Sequence, residues 1–159
     1  MLRLLWLSLL VVVLDQLSKY WVVSSFQEFE VLTVWPVFNL TLVYNTGAAF
    51  SFLSDAGGWQ RWFFVAVGVI VSLAMVIWLA RLGARERLTA YGLALVLGGA
   101  IGNLIDRILL GKVVDFLQWH WHDWYWPSFN VADSAITLGV VLLLADGLFA
   151  GKQGRELKS

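Results

Sequence analysis

The chain contains no cysteine among its 159 residues, so several kinds of chemistry are excluded at once. Disulfide bonds, thiolate nucleophiles and cysteine-based metal sites all require a thiol. Any reaction that this chain carries out must therefore use oxygen and nitrogen groups.

Charged residues are also scarce: they make up 14% of the sequence, and the formal net charge at pH 7 is zero. A nucleic-acid partner is not expected, because binding to phosphate depends on a concentration of basic side chains. Hydrophobic residues reach 60% and the mean hydropathy is +0.76, both well above the values of soluble domains. The composition indicates a protein whose solvent is membrane lipid.

Four apolar segments account for most of the sequence, and each is near the roughly 20 residues that a helix needs to cross a bilayer. They cover residues 4–25, 60–80, 88–110 and 131–150. We therefore predict one integral membrane domain over residues 1–159, an all-α bundle of four transmembrane helices.

Two longer connections, 26–59 and 111–130, are rich in Trp, Phe and Tyr, which concentrate at membrane interfaces. In the first, residues 39–44 alternate polar and apolar side chains and lead into the turn residues Asn45-Thr46-Gly47. This pattern predicts a small β-sheet between helices 1 and 2. The second connection has no periodicity that predicts a helix or a strand.

The basic residues predict the orientation in the membrane. Four crossings place both termini on one side, and seven of the eleven basic residues fall there: Arg3, Arg81, Arg85, Arg87, Lys152, Arg155 and Lys158. Because cytoplasmic segments carry the excess of Lys and Arg, we expect both termini in the cytoplasm and the sheet facing outward.

Ionisable residues inside membrane helices are costly, so each one is a candidate for function. The candidates are expected at a similar depth near the outer face: Asp15 in the first span, Asn103, Asp106 and Arg107 in the third, Asp115 just beyond the third, and Asn130 and Asp133 at the start of the fourth. Asp15 and Lys19 are four residues apart and share a helix face, while Asp106 adjoins Arg107. For Asp15, Lys19 and Asp106 we favour structural pairing of charges.

The role of Arg107 stays open between structural pairing and function. Its rigid guanidinium is equally suited to bridging carboxylates and to holding a substrate carbonyl.

Asp115 and Asp133 differ from these residues because no basic residue in the same helix lies three or four positions away. Lys112 precedes Asp115 by three residues, but we expect it at a helix end facing water. If the two aspartates face each other, repulsion raises one pKa and the pair holds one proton, as aspartic proteolysis requires. Their spacing alone does not establish the pair.

Other hydrolytic and metal chemistries have little support. The sequence lacks H-E-x-x-H, G-x-S-x-G and the G-x-G-D pattern of presenilin-like aspartic proteases. His120 and His122 lie two apart in a Trp-rich segment, where interfacial side chains are the commoner interpretation. We expect no metal and no cofactor.

Five blocks in order resemble lipoprotein signal peptidase, also called signal peptidase II, over nearly the whole chain. They are DQLSK (15–19), YNTGAAFS (44–51), GNLIDR (102–107), VVDF (113–116) and FNVADS (129–134). The resemblance implies a four-helix bundle with an outward-facing sheet in the bacterial inner membrane. It also implies a prolipoprotein substrate that carries diacylglycerol on a cysteine, with cleavage just before that cysteine.

Carried over by motif, the resemblance implies that Asp115 and Asp133 are catalytic. Residues at other motif positions would support the site or hold substrate: Asp15, Lys19, Asn45, Gly47, Asn103, Asp106, Arg107 and Asn130. Asp106 is the rival for the first catalytic position. We prefer Asp115, because the adjacent Arg107 would keep Asp106 ionised.

An alternative from a different class is a small proton-coupled transporter that uses aspartates and Arg107 as a relay. Paired broken helices and inverted repeats, which would favour it, are not visible in the sequence. Besides the lipidated substrate we expect contact with membrane lipid and a monomeric state.

Overall fold

The computed structural model describes residues 1–47 and 58–156, with side chains placed as far as Leu148. A turn of 3-10 helix, Leu2–Leu4, leads into the first of four long helices. The helices are α1 (Leu5–Ser25), α2 (Trp59–Arg81), α3 (Arg87–Leu109) and α4 (Val131–Glu156). The strands are β1 (Val31–Trp35), β2 (Phe38–Asn45), β3 (Val113–Trp121) and β4 (Trp124–Tyr125). The part of YNTGAAFS beyond Gly47 lies outside the described residues.

Among the described residues, three helices are long and apolar enough to cross a membrane by length and composition: α2, α3 and α4 as far as Leu148. Their bounds agree within a few residues with the predicted spans 60–80, 88–110 and 131–150. Helix α1 has 21 residues and matches the predicted segment 4–25, and its crossing of the membrane stays a prediction. Exposed apolar side chains on α2, such as Ile70 and Leu73, lie where lipid would cover them.

Helix α3 lies at the centre of the bundle and contacts each of the other three helices. It approaches α4 closely because glycines face each other. A Cβ added at Gly92 would lie 2.9 Å from the carbonyl oxygen of Gly139, and one added at Gly139 would lie 2.6 Å from that of Gly92. Small residues at such crossings let membrane helices pack backbone against backbone.

The four strands form one antiparallel sheet in the order β1-β2-β3-β4. The predicted strand at residues 39–44 is confirmed as part of β2. Val22 of α1 packs with Leu42 of β2 and with Val114 and Phe116 of β3, so the sheet sits against one end of the bundle.

The prediction of a sheet contained between helices 1 and 2 was incomplete. The aromatic connection 111–130 supplies β3 and β4, and β3 pairs with β2 over most of its length. Residues 113–116 of β3 are all buried, so this strand does not show the alternation of polar and apolar residues that marks a strand in the sequence. Its structure comes from tertiary pairing with β2. This pairing places Asp115 opposite Val43 in the sheet.

Candidate active site

The polar residues singled out in the sequence meet where the second half of α1, the end of α3, the start of α4 and the β2–β3 pair come together. The structure joins Asp15, Lys19, Asn103, Asp106, Asn130, Asp115 and Asp133 in one hydrogen-bonded network, and Asn45 contacts it from β2. The structure brings these groups together in the bundle, and their depth near the outer face of the membrane stays a prediction.

Lys19 forms the base of this network and is almost wholly buried. Its ammonium lies 2.8 Å from Oδ2 of Asp15 and 2.9 Å from Oδ2 of Asp106. It also donates to Oδ1 of Asn103 at 3.0 Å, so its three N–H groups have three acceptors. The predicted pairing of Asp15 with Lys19 is confirmed.

The prediction that Asp106 pairs with the adjacent Arg107 was wrong. Its ion-pair partner is Lys19 of α1 rather than the adjacent Arg107, because neighbouring residues on a helix point to different faces. The other acceptor positions of Asp106 are also used, since Gln16 donates to Oδ1 at 2.9 Å and the backbone N–H of Val114 to Oδ2 at 3.1 Å. Asp106 therefore fixes α1 and β3 to α3.

The contact with Lys19 fixes the orientation of the Asn103 amide. Oδ1 of Asn103 must face the ammonium, because the amide nitrogen would face it donor to donor. The nitrogen is then directed to the other side, where it donates to Oδ1 of Asp133 at 2.7 Å. Asn103 thus links a structural ion cluster to a candidate catalytic carboxylate.

Asn130 connects the two candidate catalytic aspartates and is fully buried. Its side-chain nitrogen donates to Oδ1 of Asp115 at 2.8 Å, and its Oδ1 accepts from the backbone N–H of Asp133 at 2.9 Å. The backbone N–H of Asn130 in turn donates to Oδ2 of Asp133 at 3.2 Å. One side chain therefore sets the relative position of β3 and the start of α4.

Asp115 is buried on β3 with both carboxylate oxygens accepting hydrogen bonds. Oδ1 accepts from Asn130, and Oδ2 accepts from the amide of Asn45 at 3.2 Å. Burial, with the charge of Asp133 adding to it, raises the pKa of Asp115 to about 7. The hydrogen bonds from Asn45 and Asn130 oppose this rise in pKa without cancelling it. Asp115 is therefore poised to hold a proton near neutral pH.

Arg107 lies at the edge of the site, and its guanidinium donates to backbone carbonyls. It reaches the carbonyl of Gly47 at 3.0 Å and that of Asn103 at 3.3 Å, and its charge lies 5.2 Å from the ring centre of Phe64. The backbone N–H of Gly47 donates to Oδ1 of Asn45 at 2.9 Å, which confirms the predicted turn after β2. Arg107 thus holds that turn beside the site.

Two residues that support the site were missed in the sequence. Gln16 lies inside the DQLSK block and bonds Asp106, Asp15 and the carbonyl of Gly102. Arg61 of α2 donates to the carbonyls of Arg107 and Ile108, in the last turn of α3. Gln16 is half-buried and lies inside a sequence block that was already singled out, whereas nothing in the sequence points to Arg61.

The remaining polar residues of the 111–130 connection lie apart from the carboxylates. The ring of His120 stacks on Tyr125 with centroids 5.4 Å apart, and its interfacial position stays a prediction. Lys112 was expected to face water, but its ammonium lies 3.3 Å from the ring centre of Tyr44. Among the described residues no group of three or more His, Asp or Glu side chains is placed to hold a metal ion.

A cavity of about 900 Å³ adjoins the two aspartates, within the size range of ligand pockets. Its polar end contains Asp115, Asp133 and Arg107. Its other end runs along α4 past Leu138 and Val141, which are exposed on the outer surface of the bundle. The site therefore offers one compartment for a polar reacting group and another for apolar chains.

The sequence model of the family described as signal peptidase (SPase) II matches residues 7–149 of the chain. The chain belongs to the signal peptidase II family. Curated relatives carry the name lipoprotein signal peptidase. One from Pseudomonas fluorescens (strain Pf0-1) is 54% identical over 96% of this chain and 91% of its own, and one from Hydrogenovibrio crunogenus is 53% identical over 87% and 81%.

Two solved bacterial membrane enzymes, determined by the in meso method, share the fold of this signal peptidase II family member. The first has a TM-score of 0.86 at 30% identity and covers 95% of this chain and 90% of its own. The second has a TM-score of 0.78 at 31% identity, with 90% of each chain covered. Family and fold together favour the peptidase interpretation over the proton-coupled transporter, for which neither gives support.

Proposed function

We propose that this chain is an aspartic endopeptidase that removes the signal peptide from prolipoproteins. The cut falls just before a cysteine that carries a diacylglyceryl group. Membership in the signal peptidase II family supports the peptidase activity, and the five sequence blocks support the substrate. The observation that carries the aspartic mechanism is the bridge through Asn130, which bonds both Asp115 and Asp133.

In this mechanism Asp115 holds the proton and Asp133 is ionised before the reaction. Burial of Asp115 on a strand favours its neutral form, as its pKa of about 7 reflects. Asp133 lies in the first turn of α4, where the positive end of the helix dipole and the amide of Asn103 favour a negative charge. The pair then carries one proton between two carboxylates.

The reaction proceeds by general acid and base catalysis. Asp133 takes a proton from water as its oxygen attacks the scissile carbonyl carbon, and Asp115 gives its proton to the carbonyl oxygen. When the tetrahedral intermediate collapses, the carbon–nitrogen bond breaks and the leaving nitrogen takes the proton held by Asp133. The hydroxyl proton returns to Asp115, so the pair ends with one proton, as it began.

The remaining candidate residues hold the pair and the substrate. Asp15, Lys19 and Asp106 form the buried ion cluster, from which Asn103 reaches Asp133. Asn45 bonds Asp115, while Gly47, held by Arg107, forms the adjacent rim. The apolar end of the cavity, along α4, suits acyl chains that enter from surrounding lipid.

For the placement of the protein, we propose the bacterial inner membrane with four crossings. Both termini lie in the cytoplasm and the aspartate pair is near the outer leaflet, as the distribution of basic residues predicts. The protein acts as a monomer in this proposal, because the described chain supplies both aspartates.

The test is cleavage by the purified full chain in detergent, without any ion gradient, of a prolipoprotein peptide carrying the diacylglyceryl group. We expect cleavage of the lipidated peptide and at least about tenfold less of the unmodified one, since the apolar part of the cavity stays empty. If folded protein cleaves neither peptide, the proposal is contradicted. Equal cleavage of both peptides would show that the acyl chains do not contribute to substrate recognition.

A further inference from the structure

A second cavity, of about 350 Å³, lies at the end of the bundle opposite the aspartates. It is lined by the start of the chain, by the first turns of α1 and by the beginning of α3, including Arg3, Trp6, Arg87 and Tyr91. Along α3, the sixteen residues from Arg87 to Asn103 correspond to about 24 Å. This cavity is therefore separate from the candidate active site.

The two arginines of this cavity have no counter-charge within the described part of the chain. Neither guanidinium takes part in an ion pair or hydrogen bond there, whereas Arg61 and Arg107 both donate to backbone carbonyls. Glu86, next to Arg87 in sequence, accepts instead from the backbone N–H of Gly83 at 2.7 Å and does not line the cavity. The cavity thus presents two positive groups that are free to bind an anion.

The walls of the cavity combine polar and apolar surface. Trp6 and Tyr91 are 58% and 44% exposed, and these are the residue types that concentrate at the level of lipid headgroups. The buried Leu4 forms the floor and belongs to the apolar cluster that joins α1, α2 and α3. Helix α1 begins here without an acidic residue at its N-cap or in its first turn, so its dipole adds to the positive potential. Helix α3 begins at the N-cap Glu86, whose carboxylate offsets the dipole of that helix.

We propose that this cavity binds the headgroup of an anionic membrane phospholipid, with the phosphodiester between Arg3 and Arg87. Basic pockets between membrane helices are suited to such headgroups, and arginine binds phosphate oxygens through paired N–H groups. The volume is at the lower end of the range for ligand pockets, which fits a headgroup rather than a whole lipid. The acyl chains lie outside, along the exposed apolar surface of α1.

The experiment uses the full chain in detergent micelles with equal amounts of phosphatidylglycerol and phosphatidylcholine, and native mass spectrometry counts the retained lipid. The test variant is Arg3→Gln with Arg87→Gln. The control is Arg81→Gln with Arg85→Gln, which removes the same charge from the same end of the bundle but outside the cavity. Both variants keep the candidate active site intact.

We expect the parent to retain phosphatidylglycerol in preference to phosphatidylcholine. Each basic residue close to a lipid surface contributes about a fivefold gain in affinity, so the test variant should bind phosphatidylglycerol roughly 25-fold more weakly. The control should lose much less affinity, because neither Arg81 nor Arg85 lines the cavity. An equal loss in both variants would mean a diffuse effect of surface charge and would overturn the site.

Two further measurements keep the proposal testable if the variant folds poorly. A phosphatidylglycerol with a photoreactive headgroup, added to the parent protein, should crosslink to the peptides that contain Trp6 and Tyr91. Crosslinks confined to other parts of the chain contradict the proposal. Excess inorganic phosphate should not displace the lipid, and displacement would mean that the cavity is a site for soluble phosphate instead.

Discussion

Asn130 and Asp133 bond to each other twice at the start of α4. The backbone N–H of Asp133 donates to Oδ1 of Asn130 at 2.9 Å, and the backbone N–H of Asn130 donates to Oδ2 of Asp133 at 3.2 Å. This is the reciprocal arrangement of a capping box, with an N-cap residue and an acidic residue three positions later. A candidate catalytic carboxylate therefore also caps the helix that carries it.

This double role predicts different outcomes for two substitutions of Asp133. Asp133→Asn should abolish cleavage but keep a side-chain oxygen for the cap, so its thermal stability should stay near that of the parent. Asp133→Ala should abolish cleavage and also lose about 1 kcal/mol of stability through the missing cap. Thermal unfolding in detergent measures the difference. Thr137→Ala, one turn further along α4, serves as the control: it removes an exposed hydrogen bond to the backbone carbonyl of Asp133 but leaves both bonds of the cap, so it should change stability little. Equal thermal stability of the two Asp133 variants would show that this side chain does not stabilise the start of α4.

A second prediction separates the rival aspartates. Asp115→Asn should be folded and inactive, because it removes proton exchange and preserves shape. Asp106→Asn should lower the free energy of unfolding by roughly 1–3 kcal/mol, since Lys19 and the N–H of Val114 lose charged acceptors. It should retain activity in the molecules that fold. Cleavage per folded molecule decides the matter, and an active Asp115→Asn beside a stable, inactive Asp106→Asn would reverse the assignment.

The sequence predicts some parts of this site well and others poorly, for physical reasons. Membrane helices are long and apolar, so their positions follow from composition, and Asp15 and Lys19 are paired by helix periodicity alone. The partner of Asp106 was missed because it comes from another helix, and helix packing is not local information. Strand β3 was missed because its pattern is set by pairing with β2. The capping box of Asn130 and Asp133 was present in the sequence and could have been found.

A third prediction concerns Arg107, whose hydrogen bonds in the described residues go to backbone carbonyls at the rim of the site. Arg107→Gln should raise KM several-fold and affect kcat less, because the turn at Gly47 is no longer held. The pH at which kcat/KM falls on the alkaline side should change little. Arg61→Gln is the control, since Arg61 bonds the end of α3 and should lower stability without raising KM. If this fall moves to much higher pH in Arg107→Gln, the guanidinium of Arg107 is in direct contact with the aspartate pair.

A fourth prediction tests orientation in the membrane. A chain without cysteine can carry single cysteines at Arg85, Trp59 and Trp124, all of which are exposed. An impermeant thiol reagent, applied to cells with a permeabilised outer membrane, should label positions 59 and 124 but not 85. Labelling of all three after lysis is the control for accessibility. Labelling of position 85 in intact inner membranes would invert the proposed topology.

The last prediction follows from the raised pKa of Asp115. Its folded value is about 7 against an ordinary value of 3.8, so between these pH values the folded protein holds a proton that the unfolded chain has released. This group therefore makes stability fall as pH rises from about 4 to about 7, and it contributes no further slope above that range.

Asp115→Asn removes this contribution, so the variant should become more stable relative to the parent as pH rises from about 4 to about 8. Thermal unfolding of both proteins across this range is the measurement, and parallel curves would contradict the raised pKa. For the parent, kcat/KM should fall above about pH 7 as the shared proton leaves the pair. The fall in kcat should come at higher pH, because bound substrate excludes water and raises the pKa of Asp115 further. If both rate parameters stay flat into strongly alkaline solution, no proton is shared and the aspartic mechanism has to be abandoned.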